Sequence, residues 1–265
     1  TVTPAPPTST FTSNPFCTRR VRPGAMEYRF GFPEISQPTG QISSEPFVQI
    51  VRGLQRSGSG LIVGPHGSGK STLLHSLRPY LADAVDHVEH VQLSASPSSK
   101  PWDRWTHARG VAKQVNSRQA LLGRGGLLVV DGAEQLWRHD LAWLNRKVKR
   151  RGQLLLATSH QPHCRMRVLH RTQVTHGLVA ALTESLLSGS SCCERQATGF
   201  PRACAGMPES PLDGHTRRVV QLVRAELAKQ DWPSLTNVRD LWFDLYDVVQ
   251  PHIIHSAQRA AQQQE

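Results

Sequence analysis

Between the apolar run Leu61-Ile62-Val63 and a stretch with helical spacing the chain reads Gly64-Pro65-His66-Gly67-Ser68-Gly69-Lys70-Ser71-Thr72. The run before it has the length and apolarity of a buried strand. Ser71 to about Leu81 has the pattern of a helix, its second turn disturbed by Pro79. Glycines between strand and helix let successive backbone N–H groups point into one concavity, a nest for an anion. The helix N-terminus adds unpaired donors and partial positive charge. At the spacing G-x-x-x-x-G-K-S/T, Lys70 is placed to reach the β- and γ-phosphates of a nucleotide, and the Ser71 hydroxyl to ligate Mg²⁺. The stretch thus implies a nucleoside-triphosphate site. It also dictates a strand–loop–helix unit around which the rest must fold.

The chain beyond this loop alternates strand and helix. Pro46 to Leu54 predicts a short helix ending between Gly53 and Gly58. His87–Leu93 alternates as a strand, and Trp102–Leu122 predicts a long polar helix broken near Gly110. Gly126–Asp131 and Leu154–His160 are buried strands, with a helix over Gln135–Val148 between them and a last strand over Gln173–Val179. Near-continuous apolar strands separated by helices indicate an α/β fold, a mostly parallel sheet covered on both faces. Residues 1–26, rich in Pro, Thr and Ser, read as a disordered or extended leader, with Asn14-Pro-Phe16 the segment expected to pack. The core is then 27–187, and 188–213 a linker. Helices over Thr216–Lys229 and Asn237–Val249 form a small helical domain at 214–255, and 256–265 is a frayed tail.

A second motif completes the site. Leu127-Leu-Val-Val-Asp131 is an apolar strand ending in a carboxylate, the pattern called Walker B, 61 residues after Lys70. A carboxylate at such a tip can hold Mg²⁺ beside Ser71. Where many P-loop ATPases carry a glutamate next to this aspartate, the chain has Gly132, and the nearest carboxylate is Glu134. A helix-start acid at 134 is stabilising in its own right. As a general base it would orient and deprotonate water. The next strand closes on Thr158, Ser159 and His160, polar groups at the same edge.

Together the Gly64–Thr72 loop, Asp131, Glu134 and the Thr158–His160 tip resemble the P-loop ATPases of the additional-strand class, in organisation AAA+ and related signalling ATPases. The resemblance spans about 45–180 and, more weakly, the helices after 214. It implies a three-layer α/β P-loop NTPase with a C-terminal helical lid, ATP and Mg²⁺ as cofactors, and hydrolysis as the reaction. It implies that Glu134 activates water and that Thr158, Ser159 or His160 senses the γ-phosphate. Asn237-Val-Arg239 resembles an element of an AAA+ lid, which implies that Arg239 reaches the γ-phosphate. An arginine finger acting on a neighbouring subunit would come from Arg165, Arg167 or Arg171. Phe30 and Phe32, just before the first strand, either cover the nucleotide base or anchor the core. Without a Leu-Ser-Gly-Gly-Gln signature before Asp131, the chain does not fit an ABC transporter cassette.

Charge and cysteines bound the partners. The net charge of +11 favours an acidic partner. Arg146-Lys-Val-Lys-Arg-Arg151 has five basic residues in six, the mark of a solvated helix end or of contact with nucleic acid or anionic lipid. No helix-turn-helix or zinc-finger pattern accompanies it. Five cysteines, an odd number without paired spacing, suggest a reducing compartment, hence cytoplasm. No segment is long and apolar enough to span a membrane. The leading expectation is an Mg²⁺-dependent ATPase whose cycle moves the helical lid against a protein partner or within a homo-oligomer. A small-molecule or nucleoside kinase and a low-turnover nucleotide-binding regulator are the alternatives.

Overall fold

The computed structural model describes residues 14–17, 21, 28, 30, 44–96, 100–163, 165–187, 214–230 and 237–262. By its contacts the chain divides into two compact units, Glu27–Gln173 and Thr1–Met26 with Val174–Glu265.

The Glu27–Gln173 unit opens with α1 (Glu45–Ser57), which ends at Gly58 in a left-handed C-cap. Then follow β1 (Ser59–Val63), α2 (Lys70–Ala82), β2 (Val88–Gln92), α3 (Pro101–Leu121) and β3 (Leu127–Asp131). A 3₁₀ turn (Ala133–Gln135) leads to α4 (Arg138–Arg150), β4 (Leu154–Ser159) and β5 (Arg167–Arg171). The five strands form one sheet in the order β2-β3-β4-β1-β5, and every pairing is parallel.

Strand periodicity explains the layering. Along β3, Leu128 and Val130 join one core with Val111 and Val115 of α3 and Leu141, Leu144 and Val148 of α4. The alternate residues Leu127 and Val129 join a second core with Phe47, Leu54, Leu73 and Leu77 of α1 and α2. β1 divides likewise, with Leu61 and Val63 on the α3/α4 side and Ile62 on the α1/α2 side. A strand buried on both faces must be apolar at every position, which is why β1 and β3 read as unbroken runs. The result is a three-layer α/β fold with a fully parallel sheet.

Three expectations about elements are corrected. The last strand is Arg167–Arg171 rather than Gln173–Val179, which instead leads into α5 (His176–Leu187). Thr175 Oγ1 accepts the Leu178 N–H and starts that helix. α3 is unbroken at Gly110, whose exposed position has no neighbour to strain it. One glycine costs about 1 kcal/mol against alanine, too little to split a helix whose neighbours bury Ala108, Val111 and Val115. α4 begins at Arg138, because Leu136 and Trp137 have extended backbone after the 3₁₀ turn. α2 holds Pro79 inside it and continues to Ala82, close to the end expected near Leu81.

In the other unit, α6 (Gly214–Lys229) and α7 (Val238–Gln262) pack with α5 around Val179, Val219, Val223, Leu241, Leu245 and Val249. Phe16 is wholly buried in this cluster, and Asn14 Nδ2 donates to the Tyr246 carbonyl and to Gln250 Oε1. The leader's Asn14-Pro-Phe16 segment thus packs as expected. The tail expected to fray is helical to Gln262, consistent with the helix preference of its Ala and Gln residues. Phe32, residues 188–213, Ser234 and Cys164, Cys192, Cys193 and Cys204 lie outside the described residues. Among the described residues, no helix is long and apolar enough to cross a membrane.

Candidate functional site

The loop sits where β1 hands over to α2, at the carboxyl edge of the sheet, where parallel α/β sheets form their ligand crevices. Its shape is set by close approaches. A Cβ on Gly64 would fall 2.0 Å from Thr172 Oγ1 and 2.7 Å from the Thr172 carbonyl, so only glycine lets the loop leave the sheet there. Ser68, buried at the loop's centre, shares a 2.6 Å hydrogen bond with Thr172 Oγ1 and donates to the Pro65 carbonyl. Thr172 in turn gives its backbone N–H to the Val63 carbonyl at 2.8 Å. The exit of β5 therefore clamps the loop, and nothing in the spacing of the sequence points to Thr172.

Lys70 is the first residue of α2 and folds back over the loop. Its Nζ donates to the carbonyls of Gly64 at 2.8 Å and Pro65 at 2.7 Å. Burial lowers its pKa from the usual lysine value, and the nearby negative charges of Glu134 and Asp131 oppose that shift. Both sequence-predicted carboxylates are thus electrostatic neighbours of the loop lysine. His66 lies with its ring centroid 3.7 Å from that of His160, so the loop also touches the tip of β4.

The two carboxylates are held by that same tip. Asp131 ends β3 at 8% exposure, and its Oδ1 accepts the Thr158 hydroxyl at 2.6 Å. The Thr158 oxygen, fully buried, accepts the Gly132 N–H at 2.8 Å. Glu134, in the 3₁₀ turn, accepts the His160 Nε2–H at Oε1, 2.8 Å away. Gly132 has φ +88°, and a Cβ there would meet the Leu93 carbonyl oxygen at 2.9 Å. The backbone makes any side chain strained at the position where many P-loop ATPases carry their acid. The turn it makes places Glu134 two residues further on instead. Beyond the β4 tip, His163 Nε2–H donates to the Arg138 carbonyl, and Asn145 Nδ2 to the Arg165 carbonyl. Both bonds tie this segment to α4.

Ser71 and Asp131 offer a hydroxyl and a carboxylate, hard oxygen donors. Mg²⁺ is held by one or two such groups together with water and phosphate oxygens, so this donor set fits it. Among the described residues, no cluster of three or more His, Cys, Asp or Glu forms a metal site of another kind.

The remaining expected residues have these surroundings. Phe30 packs edge-on against Tyr28, Phe47 and His170, and it lines a cavity of about 280 Å³ with residues of α1 and β5. The Tyr28 ring covers Gly69, and its hydroxyl lies 3.1 Å from His170 Nε2. Burial pushes the Tyr28 phenol up to about 12 and lowers the His170 imidazole. Arg165, Arg167 and Arg171 are all exposed around β5. Arg239 is exposed on the first turn of α7, in the other compact unit, where Asn237 Oδ1 accepts its backbone N–H as a helix cap.

In the sheet, β4 stands between the loop strand β1 and the Asp131 strand β3. With the loop and the carboxylate-tipped strand, this inserted strand defines the fold as that of a P-loop NTPase of the additional-strand class. No protein-family model matches the chain, and no curated protein does. Among solved structures it is similar to C. elegans PCH-2, at 13% identity and a TM-score of 0.39, over 79% of this chain and 67% of that one. It is also similar to the Thermotoga maritima RuvB Holliday junction branch migration motor, at 16% identity and 0.36, over 78% and 68%. A DNA replication initiation factor matches at 12% identity and 0.44, over 86% and 66%. These similarities are weak, and the fold assignment rests on the strand order and the loop.

Proposed function

We propose that the chain is an ATPase that binds Mg-ATP at Gly64–Thr72. The observation that carries this reading is the gathering of Lys70, Asp131 and Glu134 at one sheet edge, with both carboxylates held by the tip of β4. The backbone N–H groups of Gly67, Gly69, Lys70 and Ser71, at the loop and the α2 N-terminus, receive the phosphates. Lys70 exchanges the carbonyls of Gly64 and Pro65 for phosphate oxygens. Ser71 and Asp131 hold Mg²⁺, which supplies neutralisation of phosphate charge. Glu134, oriented by His160, accepts the proton of the attacking water. Thr158 keeps Asp131 in place through its hydroxyl, and Arg239 is the residue we assign to γ-phosphate contact from the helical unit. The cycle would move the helical unit and act on a protein partner or neighbouring copies.

Lys70→Ala should abolish Mg-ATP binding, measured by calorimetry, and unchanged affinity would sink the reading. Glu134→Gln should keep that affinity and lower phosphate release by about 10²-fold or more. Turnover equal to wild type would remove Glu134 from the role. Release that depends on an added acceptor would mark a kinase. Tight binding with almost no release would mark a regulator, a reading favoured by the glycine that Leu93 enforces at position 132.

A further inference from the structure

The outer surface of the α3/α4 layer carries a feature that the nucleotide site does not use. Trp102 and Trp105 are 69% and 41% exposed and stack on each other, centroids 5.2 Å apart and rings inclined by 26°. The Arg109 guanidinium lies 4.7 Å over the Trp105 ring. On α4, Trp143 is 54% exposed, with Lys147 Nζ 4.8 Å from its ring centre. Lys147 also donates to Asn116 Oδ1 on α3, which joins the two helices' features into one strip. Trp102, Trp105, Arg109 and Asn116 follow one another at helical spacing, and fourteen residues of helix span about 21 Å. α3 and α4 together hold nine arginines and lysines against two aspartates.

Exposed indoles cost solvation, and a core has no use for them outside it. Flat rings alternating with cations match one ligand chemistry: unpaired bases on a phosphate backbone. Duplex bases already stack on each other and offer no open face to these rings. A membrane-lying helix would need a broad aliphatic face, whereas the exposed positions of α3 around and beyond the tryptophans include Arg104, Arg109, Lys113, Gln114, Ser117 and Arg118. We propose that the Trp102–Trp105–Arg109 strip of α3, continued by Lys147 and Trp143 of α4, binds single-stranded nucleic acid. Bases stack on the indoles, and the phosphates pair with Arg109 and Lys147.

The test uses the full chain and fluorescein-labelled oligo-dT and oligo-rU of about twenty nucleotides, read by anisotropy and by quenching of tryptophan emission. A duplex of equal length and phosphatidylserine vesicles serve as competitors. Single strands should bind, the two sugars together showing whether DNA, RNA or both are taken, and the duplex should compete poorly. Trp102→Ala with Trp105→Ala should weaken binding about tenfold or more, and the same pair changed to Phe should restore most of it. Trp143→Ala, on the other helix, gives an independent reading. Arg109→Gln with Lys147→Gln should lower the slope of log affinity against log salt by about 1.4, two single-strand phosphate contacts. Retained Mg-ATP binding and an unchanged melting temperature show that each variant is folded. Lys70→Ala should bind oligonucleotide as wild type does, so failure of the nucleotide reading and failure of this one are separable. No binding by the wild type, equal affinity for duplex, wild-type affinity in all Trp variants, or capture by vesicles in place of oligonucleotide would each overturn the proposal.

Discussion

Thr158→Val is the most direct probe of how the site is built. The fully buried Thr158 hydroxyl donates to Asp131 Oδ1 at 2.6 Å and accepts the Gly132 N–H at 2.8 Å. Valine keeps the shape and removes both bonds. Loss of a hydrogen bond to a charged group costs about 1.5–3 kcal/mol, and an orphaned buried donor about 1–3 kcal/mol. Gly132 is only half-buried and its N–H regains some water, so the second value lies at its lower end. The expected destabilisation is about 3 kcal/mol, and a unit of this size loses about 3–4 °C of melting temperature per kcal/mol. The melting temperature should therefore fall by about 10 °C. Thr158→Ser keeps the hydroxyl, gives up one methyl and should cost about 1 kcal/mol. Urea unfolding followed by tryptophan emission is the assay, since four of the six tryptophans lie in the Glu27–Gln173 unit. If Val comes within about 0.5 kcal/mol of wild type, or Ser is no better than Val, the hydroxyl does not join the two strand tips.

Placing the acid where many P-loop ATPases carry it should harm this chain. Gly132→Glu forces a side chain onto φ +88° and its Cβ toward the Leu93 carbonyl, so it should destabilise by about 1–3 kcal/mol and lower phosphate release; a rise in turnover would refute the backbone argument. Burial lowers the His170 pKa below its usual 6.5, so the unfolded chain takes up that proton first. The resulting stability is fully present above pH 6.5 and is lost as pH falls below it. His170→Gln should flatten the acid limb of melting temperature against pH, partly, because His90 is lowered in the same direction. Superimposable pH profiles would remove His170 from the account.

Legibility followed burial. β1, β3 and β4 were readable because strands covered on both faces must be apolar throughout, and the loop because its glycines and lysine are spaced for phosphate. β5 was missed since it sits at the sheet edge, where Arg167, His170 and Arg171 tolerate solvent and erase the apolar signature. Gly110 misled because a glycine's local cost says nothing of the packing that outweighs it. Asp131, Glu134, Thr158 and His160 were named from motif position, but their pairing, Thr158 on Asp131 and His160 on Glu134, depends on β4 lying beside β3. Thr172 left no signal at all. Its role arises from the register that sets β5 against β1, over a hundred residues away in the chain.

One strand tip grips both carboxylates, and the segment beyond it is pinned to α4 through His163 and Asn145. Mechanically this is a single adjusting screw with two jaws. A shift of α4 would bear on the segment that follows Thr158 and His160, the residues that hold Asp131 and Glu134. The outer face of that helix is therefore joined, through His163 and Asn145, to the sheet edge that carries both carboxylates.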